Sequence, residues 1–290
     1  MSQGQAERDL MAGLPRLEKK DFQRFKTLIR DVCGLKVADS KILLLENRIR
    51  RRLKALGYTT FGAYYDHVTS HAGRHSELAN LWSVITTHET HFFRELRHFD
   101  ILREHIFPSL TSYSIPRRLR IWSAGCSTGQ EVYSLAAAMQ DFLADKSGWS
   151  YIVQGSDIDK NSIGIAIKGE YPSRAMATIP DRFHRFFEVH AQVLRPTAEI
   201  RRNVRFQEIN LHAFKLRAHF DVIFCRNVIM YFDRAARLPL VERFLQHLRT
   251  DGYLVIGTSE TLQGLPGVFF AQRLGGVFVY RHPQMKENVE

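Results

Sequence analysis

Two glycines, Gly125 and Gly129, bracket a run of small residues that could bring backbone close to a ligand: Arg118 to Met139 reads RLRIWSAGCSTGQEVYSLAAAM. Leu119, Ile121 and Trp122 predict a short apolar strand, Ser123 to Gly129 a tight loop, and the residues from Gln130 a helix. Glycine tolerates the positive φ of a sharp turn and removes the side chain that would hold a ligand away. The spacing G-x-x-x-G is not the G-x-G-x-x-G of dinucleotide sites. No Lys-Ser or Lys-Thr follows the second glycine, so it is not a phosphate-cradling loop either. Glu131 sets a carboxylate at the start of the helix, which suits a cationic ligand better than a polyphosphate. A plain tight turn is the competing reading of the same residues.

Further polar groups fall where strands should end. Tyr151–Ser156 predicts a second strand closing on Asp157, placed to read ribose hydroxyls, while Asp159 is the better helix N-cap for 160–169. Val204–Ile209 predicts a third strand leading into Asn210 and Leu211. Phe220–Cys225, apolar enough to be central, runs into Arg226, Asn227 and Tyr231. A helix over 235–248 and a strand over 252–257 follow. A β-hairpin about Gly275-Gly276 closes the chain. Residues 170–203 exceed what one crossover needs and predict an inserted subdomain with small antiparallel strands.

The N-terminal part reads as helical. Phe22, Phe25, Leu28, Ile29 and Val32 recur at helical spacing up to Gly34, and Ile42, Leu45, Ile49, Leu53 and Leu56 form a second stripe ended by Gly57. Lys41, Arg48, Arg51 and Arg52 fall opposite that stripe, as either a solvated face or a face for an acidic partner. Helical stretches follow around 63–68 and 77–85. His67, His71 and His75 recur every fourth residue, but Ser70, Ala72 and Gly73 weaken a helix there and no carboxylate or cysteine joins them, so no metal site is expected. TTHETHFFREL, Thr86 to Leu96, sits at the junction with the α/β part. A helix over 99–106 should end at Pro108, with 112–118 as a connector. The expected domains are 1–90, all helical, and 91–290, α/β with the β insert at about 170–203.

The whole chain sets bounds. Its 290 residues suit two domains, and a formal net charge of +11 favours an acidic partner. Cys33, Cys126 and Cys225 lie far apart with no C-x-x-C, as in a reducing cytosol. The start, MSQGQAERDL, does not read as a secretory signal, and no apolar run approaches the ~20 residues that span a bilayer. A cytoplasmic protein is expected.

TTHETHFFRE, IWSAGCSTGQEVYS, GSDID, Asn210-Leu211 and FCRNVIMYFD together resemble the chemotaxis receptor methyltransferase (CheR) family, over residues 17 to 281 and with motif order kept. The resemblance implies a class I methyltransferase sheet with an antiparallel last strand. It also implies S-adenosylmethionine (SAM) as cofactor, S-adenosylhomocysteine as product, and receptor glutamates as methyl acceptors. By resemblance Asp157 takes the ribose hydroxyls and Glu131 lies near the methionyl end. His88, Thr90, Arg94, Ala124, Asn210, Leu211, Arg226 and Asn227 line the rest of the cofactor site. Arg94 and Tyr231 sit nearest the methyl group, with Arg94 in a salt bridge to Glu89 or Glu95, or Tyr231 in the core, as the bland alternatives. Arg48, Arg51 and Arg52 are the expected receptor contacts.

The partner implied is the cytoplasmic domain of methyl-accepting chemoreceptors, with no nucleic acid, no membrane insertion and a monomeric enzyme. The chain departs from the family pattern at His88, where asparagine is common, and at Gln130, where an acid is common. The insert is short, has Pro196 in its middle and lacks glycine between 187 and 204, so a strand pair without a receptor-tail peptide site is expected. A SAM-dependent RNA methyltransferase would also suit the charge, but Arg226-Asn227-Val228-Ile229 stands where an Asn/Asp-Pro-Pro-aromatic tetrad would be needed. A non-catalytic SAM-binding scaffold is the third reading.

Overall fold

The computed structural model describes residues 15–113, 117–265 and 269–282. The chain divides between Thr87 and His88 into two compact units.

The first unit is helical. Helix α1 (Lys19–Cys33) buries Phe22, Phe25, Leu28, Ile29 and Cys33, and α2 (Ile42–Leu56) buries Leu45, Ile49 and Leu53. Both stop at a glycine with left-handed backbone, Gly34 at φ 69° and Gly57 at φ 74°. Helices α3 (Phe61–Thr69), α4 (His71–Ser76) and α5 (Leu78–Ile85) complete it. Ser70 breaks the run of histidines: its hydroxyl accepts the Gly73 N–H and starts α4. His71 and His75 face each other at 4.9 Å, while His67 packs on Tyr58.

The arginines of α2 do not form one open face, which corrects the sequence expectation. Arg52 Nε and Nη2 fork onto Glu77 at 2.7 and 2.9 Å, and that carboxylate, 3% exposed, also accepts Tyr64 Oη and Asn80 Nδ2. Arg48 Nη2 reaches the Thr87 hydroxyl and its Nη1 the Ile85 carbonyl, and Arg50 pairs with Glu46. Arg51 is exposed. An acid distant in sequence, Glu77, neutralises Arg52, while Arg50 finds Glu46 one turn away on the same helix.

The second unit begins with α6 (Arg97–Ile101), a π-helical turn (Leu102–Ile106) and α7 (Phe107–Tyr113). The helix therefore passes Pro108 instead of ending there. The widened turn resets the hydrogen-bond ladder, so the proline falls at the second position of a fresh segment, where its missing N–H costs little. Part of the expected connector, 114–116, lies outside the described residues.

A seven-stranded sheet follows: β1 (Arg118–Ala124), β2 (Ser150–Asp157), β6 (Val204–Glu208), β7 (Phe220–Cys225), β8 (Leu248–Ile256), β9 (Phe270–Leu274) and β10 (Val277–Arg281), in the order β6-β2-β1-β7-β8-β10-β9. The first five positions are parallel, and β10 is antiparallel to both β8 and β9. β7 holds the middle with all six residues buried. Helices α8 (Gln130–Phe142), α9 (Lys160–Lys168) and α11 (Arg234–His247) connect the strands. Asp159 caps α9 through the Asn161 and Ser162 N–H groups.

The insert is more than a strand pair. β3 (Tyr171–Pro172), β4 (Phe187–His190) and β5 (Val193–Pro196) form a three-stranded antiparallel sheet ordered β3-β5-β4, and α10 (Ala198–Arg201) follows. A two-residue turn joins β4 to β5 without glycine: Ala191 and Gln192 both adopt positive φ, 45° and 68°. Pro196 is tolerated because it ends β5 opposite Phe187. Among the described residues no helix is long and apolar enough to cross a membrane.

Candidate active site

The carboxyl ends of parallel strands carry the ligand site of such sheets, and this is where the expected residues gather. β1 ends at Ala124, which is buried. The chain then turns through Gly125 (φ 83°), Ser127 (φ 50°) and Gly129 (φ 93°). Gly125 and Cys126 N–H groups both donate to the Ser156 carbonyl at 2.8 Å, pinning the loop to β2. The two glycines are needed for packing inside the protein. A Cβ on Gly125 would lie 2.5 Å from Val228 Cγ2, and one on Gly129 2.7 Å from Ala166 Cβ. The close approach that the sequence assigned to a ligand is thus made by the loop after β7 and by α9.

Asp157 ends β2 and is 9% exposed. Its Oδ2 accepts the Ser127 N–H at 2.8 Å and its Oδ1 the Asp159 N–H at 3.0 Å. Burial pushes its carboxyl up against the opposing pull of those two donors. It ties the glycine loop to the start of α9 and keeps lone pairs for hydroxyl donors. Asn210 and Leu211 follow β6 beside it: the Ile209 N–H donates to the Asp157 carbonyl, and Asn210 Oδ1 accepts the His212 N–H.

The segment from His88 to Glu95 is fastened onto this loop at several points. His88 Nδ1 meets Ser162 Oγ at 3.1 Å, its Nε2 lies 3.5 Å from Asp159 Oδ2, and its carbonyl accepts the Ser127 hydroxyl. The Phe93 N–H donates to Ser134 Oγ on α8. Phe92 and Phe93 are buried, Phe92 edge-on to Tyr171 and Phe187, Phe93 stacked 4.4 Å from Phe183. Phe93 and Glu95 take positive φ, 52° and 55°. Thr90 is half-buried between these anchors.

Arg226, the first residue after β7, is the hub, with 2% of its side chain exposed. Its Nε and Nη2 contact Glu131 Oε2 at 2.8 and 2.7 Å, and its Nη1 donates to the Arg94 carbonyl at 2.7 Å and approaches Glu95 Oε2 and His98 Nδ1. Ser123 Oγ donates to the other oxygen of Glu131 at 2.7 Å. The charge of Glu131 is therefore met by an arginine of the same chain. The sequence reads this carboxylate as lying near a ligand cation and does not show which cation of the chain folds back onto it. Burial and the Arg226 charge hold the His98 imidazole below its ordinary value, against the attraction of Glu95. Burial would raise the Glu95 carboxyl, but the Thr258 N–H, Arg226 and Asn227 outweigh it and hold it low.

Asn227 sits at φ 58° and donates from Nδ2 to Glu95 Oε1 at 3.2 Å. Arg94 is half-buried, and its Nη1 donates to the Glu89 carbonyl at 2.8 Å. Among the described residues no carboxylate pairs with it. Tyr231 stands on a 3-10 turn and is 44% exposed, so it is not a core residue. Arg48, Arg51 and Arg52 belong to the first unit.

Sequence reasoning missed Glu95, His98, Ser123 and Glu260. Glu95 and Ser123 stood inside motifs already singled out. The others carry no local signal and are recruited by the sheet.

A parallel sheet with an antiparallel last pair, a small-residue loop after the first strand and an acid ending the second define a class I SAM-dependent methyltransferase. Residues 88–274 match the CheR methyltransferase SAM binding domain, and residues 20–86 the CheR methyltransferase all-alpha domain. The chemotaxis protein methyltransferase of Salmonella typhimurium is 35% identical over 86% of this chain and 86% of its own. That of Escherichia coli is 35% identical over 86% and 87%, and that of Borreliella burgdorferi 31% over 86% and 90%. The chain belongs to the CheR methyltransferase family.

Proposed function

We propose that this protein transfers the methyl group of SAM to glutamate side chains in the cytoplasmic domains of chemoreceptors, giving methyl esters. It does so as a monomer in the cytoplasm, without nucleic acid. Family membership supports the cofactor and the chemotaxis setting. The observation that carries the acceptor is the make-up of the cluster. It holds buried acids with partners already assigned and one half-buried arginine, Arg94, without a carboxylate partner among the described residues.

The chemistry asks little more. A glutamate with a pKa of about 4.3 is already ionised at neutral pH, so no general base is required. Bound SAM supplies an electrophilic methyl on a sulfonium. The chain's own groups do the rest. Asp157 and His88 mark the nucleoside end, and Ala124, Asn210, Leu211, Asn227 and Thr90 line the cofactor's surroundings. Glu131 and Arg226 neutralise each other and hold the floor. Arg94 draws in the acceptor carboxylate, Tyr231 shields it from water, and alignment and dehydration supply the rate. Arg51, exposed on α2, meets the acidic receptor surface.

The test is labelled methyl transfer to purified receptor cytoplasmic domains, followed by mild alkali. A carboxyl methyl ester releases volatile methanol. Label that survives alkali would mean an N-methyl product and overturn the proposal.

A further inference from the structure

We propose that Glu260 is a positioning residue for methyl transfer: it locks the turn that carries Asn227 and Tyr231 to the end of β8. The inference rests on the function proposed above.

One carboxylate collects four backbone donors. Glu260 Oε2 accepts the Asn227 N–H at 2.7 Å and the Gly257 N–H at 2.8 Å, and its Oε1 accepts the Val228 and Met230 N–H groups, both at 3.0 Å. Three of these donors belong to the turn after β7, and the fourth, Gly257, directly follows β8. Backbone N–H groups converging on one point form a concavity that an anion fills, and charge-assisted bonds of this kind are short and strong. With its oxygens engaged this way, Glu260 acts through the backbone.

Two neighbours show that the space is shaped for this contact. A Cβ on Gly257 would lie 2.9 Å from Glu260 Oε2 and 3.0 Å from the Asn227 nitrogen, so any other residue would push the carboxylate out. From the other side Glu95 accepts the Asn227 side-chain amide at 3.2 Å and the Thr258 N–H at 3.1 Å. Asn227 is thus held by its backbone through Glu260 and by its side chain through Glu95, in the left-handed conformation at φ 58° that asparagine tolerates better than most residues. Tyr231 follows directly: its N–H donates to the Val228 carbonyl within the same turn. Releasing Glu260 frees three backbone anchors of the loop, Asn227, Val228 and Met230, and leaves the strand pairing of the sheet in place.

The experiment compares wild type with Glu260→Ala and Glu260→Gln. The glutamine keeps the shape and one acceptor oxygen, so it holds one pair of donors and lets go of the other. Calorimetry with S-adenosylhomocysteine counts competent sites, and single-turnover methyl transfer to receptor domains is then expressed per site. The alanine variant is expected to bind close to one equivalent yet transfer on the order of 10²-fold more slowly per site, the cost of a misplacement of about 1 Å. The glutamine variant should fall between alanine and wild type. A per-site rate at the wild-type value in either variant, or a loss of activity matched by a loss of binding sites, overturns the proposal. Wild type that binds S-adenosylhomocysteine but does not esterify receptors would instead overturn the function on which it rests.

Discussion

Arg226, the first residue after β7, and Glu131, in the first turn of α8, lie ninety-five positions apart in sequence and meet at 2.7 Å with 2% and 12% of their side chains exposed. The pair joins the start of α8 to the loop after β7, and through the Arg94 carbonyl it also fixes the 88–95 segment. Removing Arg226 leaves Glu131 charged with the Ser123 hydroxyl as its donor, and neutralising Glu131 leaves Arg226 buried with the longer 3.5 Å contact to Glu95. Glu131→Gln should cost about 3 kcal/mol of stability and Arg226→Met a similar amount. The double variant should recover part of that loss. Urea unfolding of the four proteins checks this, and strict additivity would show that the pair is not coupled.

Asp157→Asn replaces one acceptor oxygen with an NH2 group that must face a backbone donor, Ser127 or Asp159. Binding of SAM and S-adenosylhomocysteine should both weaken by about tenfold or more, the equivalent of ~1.4 kcal/mol. Titration calorimetry reads it. Equal affinity in variant and wild type would remove Asp157 from the cofactor site.

His98 is fully buried and held below its ordinary pKa. The unfolded chain therefore binds more protons than the folded one below about pH 6.5, and stability falls as pH drops from there toward the lowered folded value. His98→Gln should flatten that part of the stability profile while retaining an acceptor for Arg226. An unchanged slope between pH 7 and 5 in the variant would assign the effect to other groups.

The α2 arginines should separate by role. Arg52→Ala strands Glu77, which still has Tyr64 and Asn80, and should cost about 2 kcal/mol of stability. Arg51→Glu should leave thermal stability within about 0.5 kcal/mol and raise the KM for receptor in a salt-dependent way. Stability curves and receptor kinetics at two ionic strengths distinguish them. If Arg51→Glu leaves receptor kinetics unchanged at low salt, α2 is not a receptor contact.

No binding of a receptor's C-terminal peptide is expected at the insert. The β4–β5 turn closes in two residues, Ala191 and Gln192, and leaves no additional loop to grip a strand added beside Val189. Calorimetry with pentapeptides carrying an aromatic-Glu-x-Phe-like pattern should give no heat, and a tail-deleted receptor should be methylated as fast as the intact one. Micromolar peptide binding would overturn this.

Local patterns carried the sequence reading a long way. The loop at 123–129 and the acid at 157 announce their strand ends because glycine and an isolated carboxylate mean specific things beside apolar runs. Phe220–Cys225 reads as central because five of its six residues are apolar. What stayed hidden is whatever a distant partner decides. Arg52 looks solvated until Glu77 is placed beside it, and Glu131 looks free until Arg226 arrives. Pro108 looks like a stop until a π turn makes room for it. Ala191-Gln192 looks unfit for a tight turn until β4 and β5 hold both residues at positive φ.

The middle place of β7 bears on how the chain comes to exist at all. Its partner β1 lies about a hundred residues earlier (Ile121 pairs with Val222), and such distant pairing makes sheet closure slow. On a growing chain β1 and β2 are made first and keep an unpaired edge until β7 is synthesised. A nascent or truncated product ending before Phe220 would present Ile121, Trp122 and Val153 on an incomplete sheet, the kind of surface that chaperones capture and that aggregates at high concentration.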